Sequence, residues 1–312
     1  MNLFLVLALA LEVPFIAQKP NYCGPAALAM LANYYGHPVT QDDIASAIYL
    51  PEIHGTLTAD LAGYAQRFGL WTRQYRGTRA DLHQKLSAGI PMIVLGKLGN
   101  RYHYFVVLDY RGDELIVHSD TRPDLHLRED DFLRWWNRAD RWTLLVCPPA
   151  KATWPLSSDE HNDLGVFLER AGKFAAAAGN YREAAELQPQ NSYFQMNLGN
   201  ALLKQKLYAE AAAAFRQAGD NPDALNNLAY AYGELNANLD EAVAHCERAI
   251  KLQPSHRAYY LDTLGGIYLK QGNLGEAVTA YEQALAAATD RQASLRDAIR
   301  QRLATARALL KE

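Results

Sequence analysis

Cysteine is scarce. The chain has three in 312 residues, far apart and never in a Cys-x-x-Cys pair. That spacing excludes a disulfide framework and a cysteine-built structural zinc site. There is no cluster of metal-ligating residues and no phosphate-cradling glycine loop, so the reading includes no metal and no cofactor. Neither sign of charge dominates: 31 basic against 34 acidic side chains give a net charge of −3. Without a basic block there is no electrostatic footprint for nucleic acid. Long hydrophobic runs are also missing. The most apolar one, Met1 to Leu11, is too short to span a bilayer, which argues against an integral membrane domain. Three readings of residues 1–10 stay open. One is the apolar core of a secretory signal ending near Ala8–Leu9–Ala10, although no Lys or Arg precedes it. Another is a first strand continuing through Leu11–Ile16, and the third is a start inside a longer leader. A signal would place the protein in the periplasm or outside the cell; the strand reading leaves it in the cytoplasm.

What is present is ordinary globular material, 49% hydrophobic and 21% charged, and long enough for two domains. Val13 to Ile16 reads as a short strand, kept to an edge by Pro14. An apolar helix runs from Cys23 to about Tyr35 and stops at Gly36, with Pro38 beyond. Thr40–Gln41–Asp42–Asp43 is a capping-box pattern opening a helix through Ile48. Thr58 and Thr78 read as caps of helices Ala59–Phe68 and Arg79–Ser87. The period then changes. Pro91–Leu95, Tyr102–Tyr110 and Glu114–His118 read as strands, the last two a hairpin turned by Arg111–Gly112–Asp113. A short helix around Asp130–Trp136 and a strand Trp142–Cys147 close this half. Helices first and antiparallel strands second make it α+β, over residues 11–149. Residues 150–158, inside the proline- and serine-rich stretch Pro148–Ser158, read as a linker.

From Asp159 the sequence repeats. Leu164–Gly165, Leu198–Gly199, Leu228–Ala229 and Leu264–Gly265 recur at spacings of 34, 30 and 36 residues. Three units continue in a small–aromatic–small register, Ala177, Tyr181 and Ala184; Ala211, Phe215 and Ala218; Ala277, Tyr281 and Ala284; in the third unit, Ala242, Cys246 and Ala249, the cysteine occupies the aromatic slot. This resembles the tetratricopeptide repeat. About four units fill residues 159–290, and 291–312 hold a capping helix, Ala293 to Leu310, over the last apolar face. In this register the aromatic is expected to plug the gap between units. Asn162, Met196, Asn226 and Asp262 share one position on the first helices, which by the resemblance faces a concave groove for a peptide or protein partner.

The chemistry-bearing stretch is Gln18–Lys19–Pro20–Asn21–Tyr22–Cys23–Gly24–Pro25. Pro25 suits a first helical turn, and Gly24 leaves room beside the thiol. Cys23 thus sits at a helix N-terminus among unpaired N–H groups, where thiolate is expected to be favoured. The Gln18 amide, five residues upstream, can fold back and share an oxyanion hole with a main-chain N–H. His103 starts an apolar strand and serves as the base; Asp120, in His118–Ser119–Asp120–Thr121, is placed to orient the imidazole.

Gln18–x4–Cys23–Gly24–Pro25–Ala26–Ala27, then His103–Tyr104–x–Val106–Val107 and an Asp-containing turn, resemble the C39-like cysteine peptidases over about residues 11–149. These are relatives of the proteases that trim bacteriocin leaders after a double glycine. The resemblance implies a papain-like α+β peptidase domain followed by an all-α repeat solenoid. It also implies peptide-bond hydrolysis with Cys23 as nucleophile, His103 as base, Asp120 as its orienter and Gln18 in the oxyanion hole. Exporter-linked members carry one more residue between Gln and Cys and an acidic residue where Tyr22 stands; free-standing C39-like proteins with trailing repeats look closer.

Alternatives remain at this level. His118, His37 and His54 are rival bases, and Ser119 or a main-chain carbonyl can replace Asp120 as orienter. Cys147 and Cys246 read as structural. Trp135, Trp136 and Trp142 form either a substrate wall or packing between the sheet and a helix. A peptidase-like adaptor without activity, or a Cys–His acyl transferase, would use the same residues.

Overall fold

The computed structural model describes residues 11–311, so the readings of residues 1–10 lie outside it. The chain divides into two compact units, residues 1–156 and 157–312.

In the first unit, α1 (Cys23–Tyr34) is apolar all round, and Gly24 through Ala32 are buried. Such a helix belongs inside a core. It ends where Gly36 takes φ +82. Helix α2 (Gln41–Ile48) starts with the capping box formed by Thr40 and Asp43. Helix α3 (Thr58–Gln66) starts one residue earlier than read: Leu57 is its N-cap, with no side-chain bond, so Thr58 does not cap it. Strand β1 (Trp71–Arg76) follows; its polar alternation, Thr-Arg-Gln, conceals it in the sequence. Helix α4 (Arg79–Ser87) is capped by Thr78, whose hydroxyl accepts from the Asp81 N–H. Then come β2 (Met92–Leu98), β3 (Arg101–Arg111), β4 (Glu114–Ser119), β5 (Arg122–Arg128), α5 (Glu129–Arg138) and β6 (Trp142–Cys147).

The six strands form one antiparallel sheet in the order β1-β6-β2-β3-β4-β5, with β6 inserted between β1 and β2. Ile93, Tyr104, Val106, Leu108, Ile116, Leu144 and Val146 pack with α1 and with Leu61, Ala62 and Ala65 of α3 in one buried cluster. Elsewhere the Phe105 ring stacks on Trp135 of α5, at 6.1 Å between centroids. Val13–Ile16 is not a strand. A side chain pins it instead: the Val13 carbonyl accepts from His118 Nε2 at 2.9 Å, and the Phe15 ring meets that imidazole edge-on at 5.2 Å. The stretch read as a linker is held at Trp154, which stacks on Trp71 at 6.2 Å and lies under the Lys85 ammonium at 4.6 Å.

The second unit is helical throughout: α6 (Ser158–Arg170), α7 (Phe174–Leu187), α8 (Ser192–Lys204), α9 (Tyr208–Gln217), α10 (Pro222–Leu235), α11 (Leu239–Leu252), α12 (Arg257–Gln271), α13 (Leu274–Ala287) and α14 (Ala293–Leu309). The aromatics meet the small residues of their own units. A Cβ on Gly165 would stand 2.6 Å from the Tyr181 ring, one on Gly199 2.5 Å from Phe215, and one on Gly265 2.7 Å from Tyr281. Each ring occupies the space beside the glycine of its own pair's first helix, which fixes how closely the helices approach. In the third pair both halves change together: the small position is Ala229, and Cys246, fully buried, stands where the ring would be.

Candidate active site

Cys23 is the first residue of α1. Its N-cap, Tyr22, contributes no side-chain bond to the helix start. A Ser or Asp there would consume one of the free first-turn N–H groups. Here they stay available, and the main-chain N–H groups of Cys23 and Gly24 act on the thiol. The N–H of Tyr104, on β3, does so as well. The approach is close: a Cβ on Gly24 would stand 3.3 Å from the Tyr104 ring and 3.4 Å from Leu61 and Thr56. The room that Gly24 leaves is therefore filled by these neighbours. Tyr104 is itself held, its hydroxyl donating to the Thr56 carbonyl at 3.4 Å.

The expectation of a thiol made more acidic by the helix tip is corrected. Burial pushes the Cys23 thiol up, and it outweighs the three N–H groups that pull it down; the Asp120 carboxylate raises it further. Desolvation disfavours the charged form more than a few backbone dipoles recover. The same burial lowers His103, against a rise from Asp120, and Arg122 lowers it further. Each shift taken by itself favours the uncharged form at neutral pH.

The His103–Tyr104 peptide brings β3 to the thiol. His103 Nε2 lies 3.0 Å from the Ser119 hydroxyl, and its ring meets Phe105 edge-on at 4.8 Å. Asp120 follows in the turn after β4, exposed and at φ +58. Its carbonyl accepts the Gln18 main-chain N–H at 3.1 Å. Four segments thus converge: the Gln18 loop on the Asp120 turn, the Cys23 helix on β3, and β3 on Ser119. The hydrogen-bond partner of the imidazole is Ser119, while Asp120 reaches both His103 and Cys23 through its charge.

Two of the rival imidazoles are otherwise engaged. His118 is committed at both nitrogens, donating to Val13 and accepting from the Asp124 N–H at 3.2 Å. His37 stacks on Phe68 at 5.3 Å. His54 is exposed, in a left-handed turn at φ +48. The tryptophans pack rather than wall a cleft together. Trp135 stacks on Phe105, Trp136 is buried with its indole N–H on the Trp142 carbonyl at 3.2 Å, and Trp142 edges Tyr104 at 5.6 Å. Cys147 and Cys246 are fully buried.

Sequence reasoning missed Gln41. Its side-chain carbonyl accepts the Lys19 N–H and its amide donates to the Ala17 carbonyl, both at 2.9 Å. It therefore brackets Gln18 from both sides as a strand neighbour would. Lys19 adds an ion pair to Asp42 at 2.5 Å. In the sequence Gln41 was visible only as part of a helix start.

Residues 12–150 match the model of the Peptidase C39 family. The first unit is a C39 peptidase-like domain. Residues 163–224 and 220–290 match two tetratricopeptide-repeat models, and repeats of this kind point to protein interaction. No curated protein matches. Among solved structures, the peptidase domain of Streptococcus ComA, a bifunctional ABC transporter of a quorum-sensing pathway, is 22% identical. That match covers 43% of this chain and 96% of that one, at a TM-score of 0.38. A double-glycine-motif protease from an AMS/PCAT transporter, solved with its leader peptide, is 20% identical over 46% and 96% of the two chains, at 0.36. The Thermus thermophilus repeat protein TTC0263 is 20% identical over 48% and 82%, at 0.41. Among the described residues no helix is long and apolar enough to cross a membrane.

Proposed function

We propose that the chain is a cysteine peptidase whose repeats recruit a protein substrate or partner. The supporting observation is the meeting of Cys23, at an uncapped helix tip, with the His103–Tyr104 peptide and the Ser119–Asp120 turn. Because burial keeps thiol and imidazole neutral, attack and proton transfer are concerted. As the sulfur bonds the scissile carbonyl carbon, His103 takes its proton, and the oxyanion gathers at the Cys23 N–H with the Gln18 amide. His103 then gives that proton to the departing amine, leaving a thioester. Water, deprotonated by the same imidazole, cleaves the thioester and restores the thiol.

The test is a peptide-library digest with the full chain beside Cys23→Ala and His103→Ala. Cleavage by the native chain alone is the expected result. Products extended by an added amine rather than water would make it an acyl transferase. Peptide binding that persists without cleavage in all three proteins would leave a silent adaptor and end the peptidase reading.

A further inference from the structure

We propose that Ser119 is the positioning residue for the His103 imidazole, accepting the Nε2 proton and so leaving the Nδ1 lone pair for the Cys23 thiol. This rests on the peptidase reading above. Two observations carry it, both independent of any family pattern. Ser119 Oγ lies 3.0 Å from His103 Nε2, at hydrogen-bond distance, and Ser119 is only 5% exposed, so water does not compete freely for that bond. The carboxylate next in sequence is exposed, in a left-handed turn, with its main-chain carbonyl taken by Gln18.

Geometry alone allows two hydrogen placements. If the Ser119 hydroxyl donates, Nε2 is the acceptor, Nδ1 carries the proton, and the ring has no lone pair for the thiol. If Nε2–H donates, Nδ1 is free and the ring can act as a base. Only the second placement is compatible with proton abstraction, so the hydroxyl selects the tautomer by holding one nitrogen. It differs from a carboxylate in one consequence. An uncharged partner orients the ring without stabilising its cation, and the resting pair therefore stays thiol and imidazole rather than thiolate and imidazolium. The charged groups acting on this ring are Asp120 from the turn after β4 and Arg122 from β5, and Asp120 acts on the Cys23 thiol of α1 as well; Phe105 on its own strand supplies an apolar contact.

The experiment measures the tautomer and the pH profile of the full-length protein. Nitrogen-15 NMR of the His103 ring above its titration should show the Nε2–H form in the native chain. In Ser119→Ala the two forms should mix, and Cys23-dependent peptide cleavage should fall about tenfold, an orientation-sized loss. Ser119→Asn should keep the tautomer and recover most of the rate. Ser119→Asp should move the acid limb of the rate profile upward, because a carboxylate favours the imidazolium. A merely structural serine would change melting but none of these readouts. If Ser119→Ala leaves tautomer and profile as they are while Asp120→Asn alters both, the proposal is overturned in favour of Asp120. If the tautomer depends on Ser119 but the native chain cleaves nothing, this inference stands and the peptidase reading falls.

Discussion

At Cys23 two influences oppose each other, and their balance sets the pH behaviour. The helix tip and three N–H groups favour the thiolate; burial disfavours it and wins. Burial likewise depresses His103 below 6.5, so the imidazole is a free base at neutral pH and protonates only in more acid solution. Cleavage is therefore expected to be level across neutral pH and to fall as pH drops through a point below 6.5, measured as kcat/KM for a short peptide. Iodoacetamide, which requires thiolate without help from substrate, should react with Cys23 at a rate still climbing above pH 9; a plateau reached below pH 7 would contradict the neutral pair. The sequence made Cys23, His103 and the Asp120 turn visible through residue type and spacing. The sign of the thiol shift was not legible, because it depends on how much water the folded neighbours Tyr104, Leu61 and Thr56 exclude. The choice between Ser119 and Asp120 was not legible either, since both stand at the end of one strand.

Among elements, the clearest sequence signals were those with a local cause. The Thr40 and Thr78 caps and the β3–β4 hairpin are fixed by neighbours a few residues away. Strand β1 escaped because its pairing with β6 joins segments some seventy residues apart, and Val13–Ile16 misled because His118, not a ladder, holds it. The Gln41 bracket is of the same non-local kind. Gln41→Ala removes two 2.9 Å bonds and should lower kcat about tenfold with little change in KM, read by steady-state kinetics on one peptide. In the third repeat, Cys246→Tyr should cost about 2 kcal/mol in urea unfolding by forcing a ring against Ala229. Adding Ala229→Gly should recover most of that loss. A purely additive pair would mean that glycine and ring do not form one unit.

For the whole molecule, the division at residues 156 and 157 sets where the chain can be cut. A fragment ending before Trp154 would expose Trp71 and strip the ring from the Lys85 ammonium, so a sound peptidase fragment must run through residue 156. Such a fragment should cleave short peptides at nearly the native kcat. For a protein substrate engaged by the repeats its KM should rise about tenfold or more, because the second binding event is lost; an unchanged KM would show that the repeats do not recruit substrate.

Burial governs all three sulfurs alike: the Cys147 thiol is pushed up to about 12, and Cys246 and Cys23 are raised as well. Peroxide oxidises thiolates far faster than thiols. Purified without reductant and left in air, this protein should neither crosslink nor accumulate sulfenic acid, and its potency on storage should outlast that of enzymes that keep a standing anion.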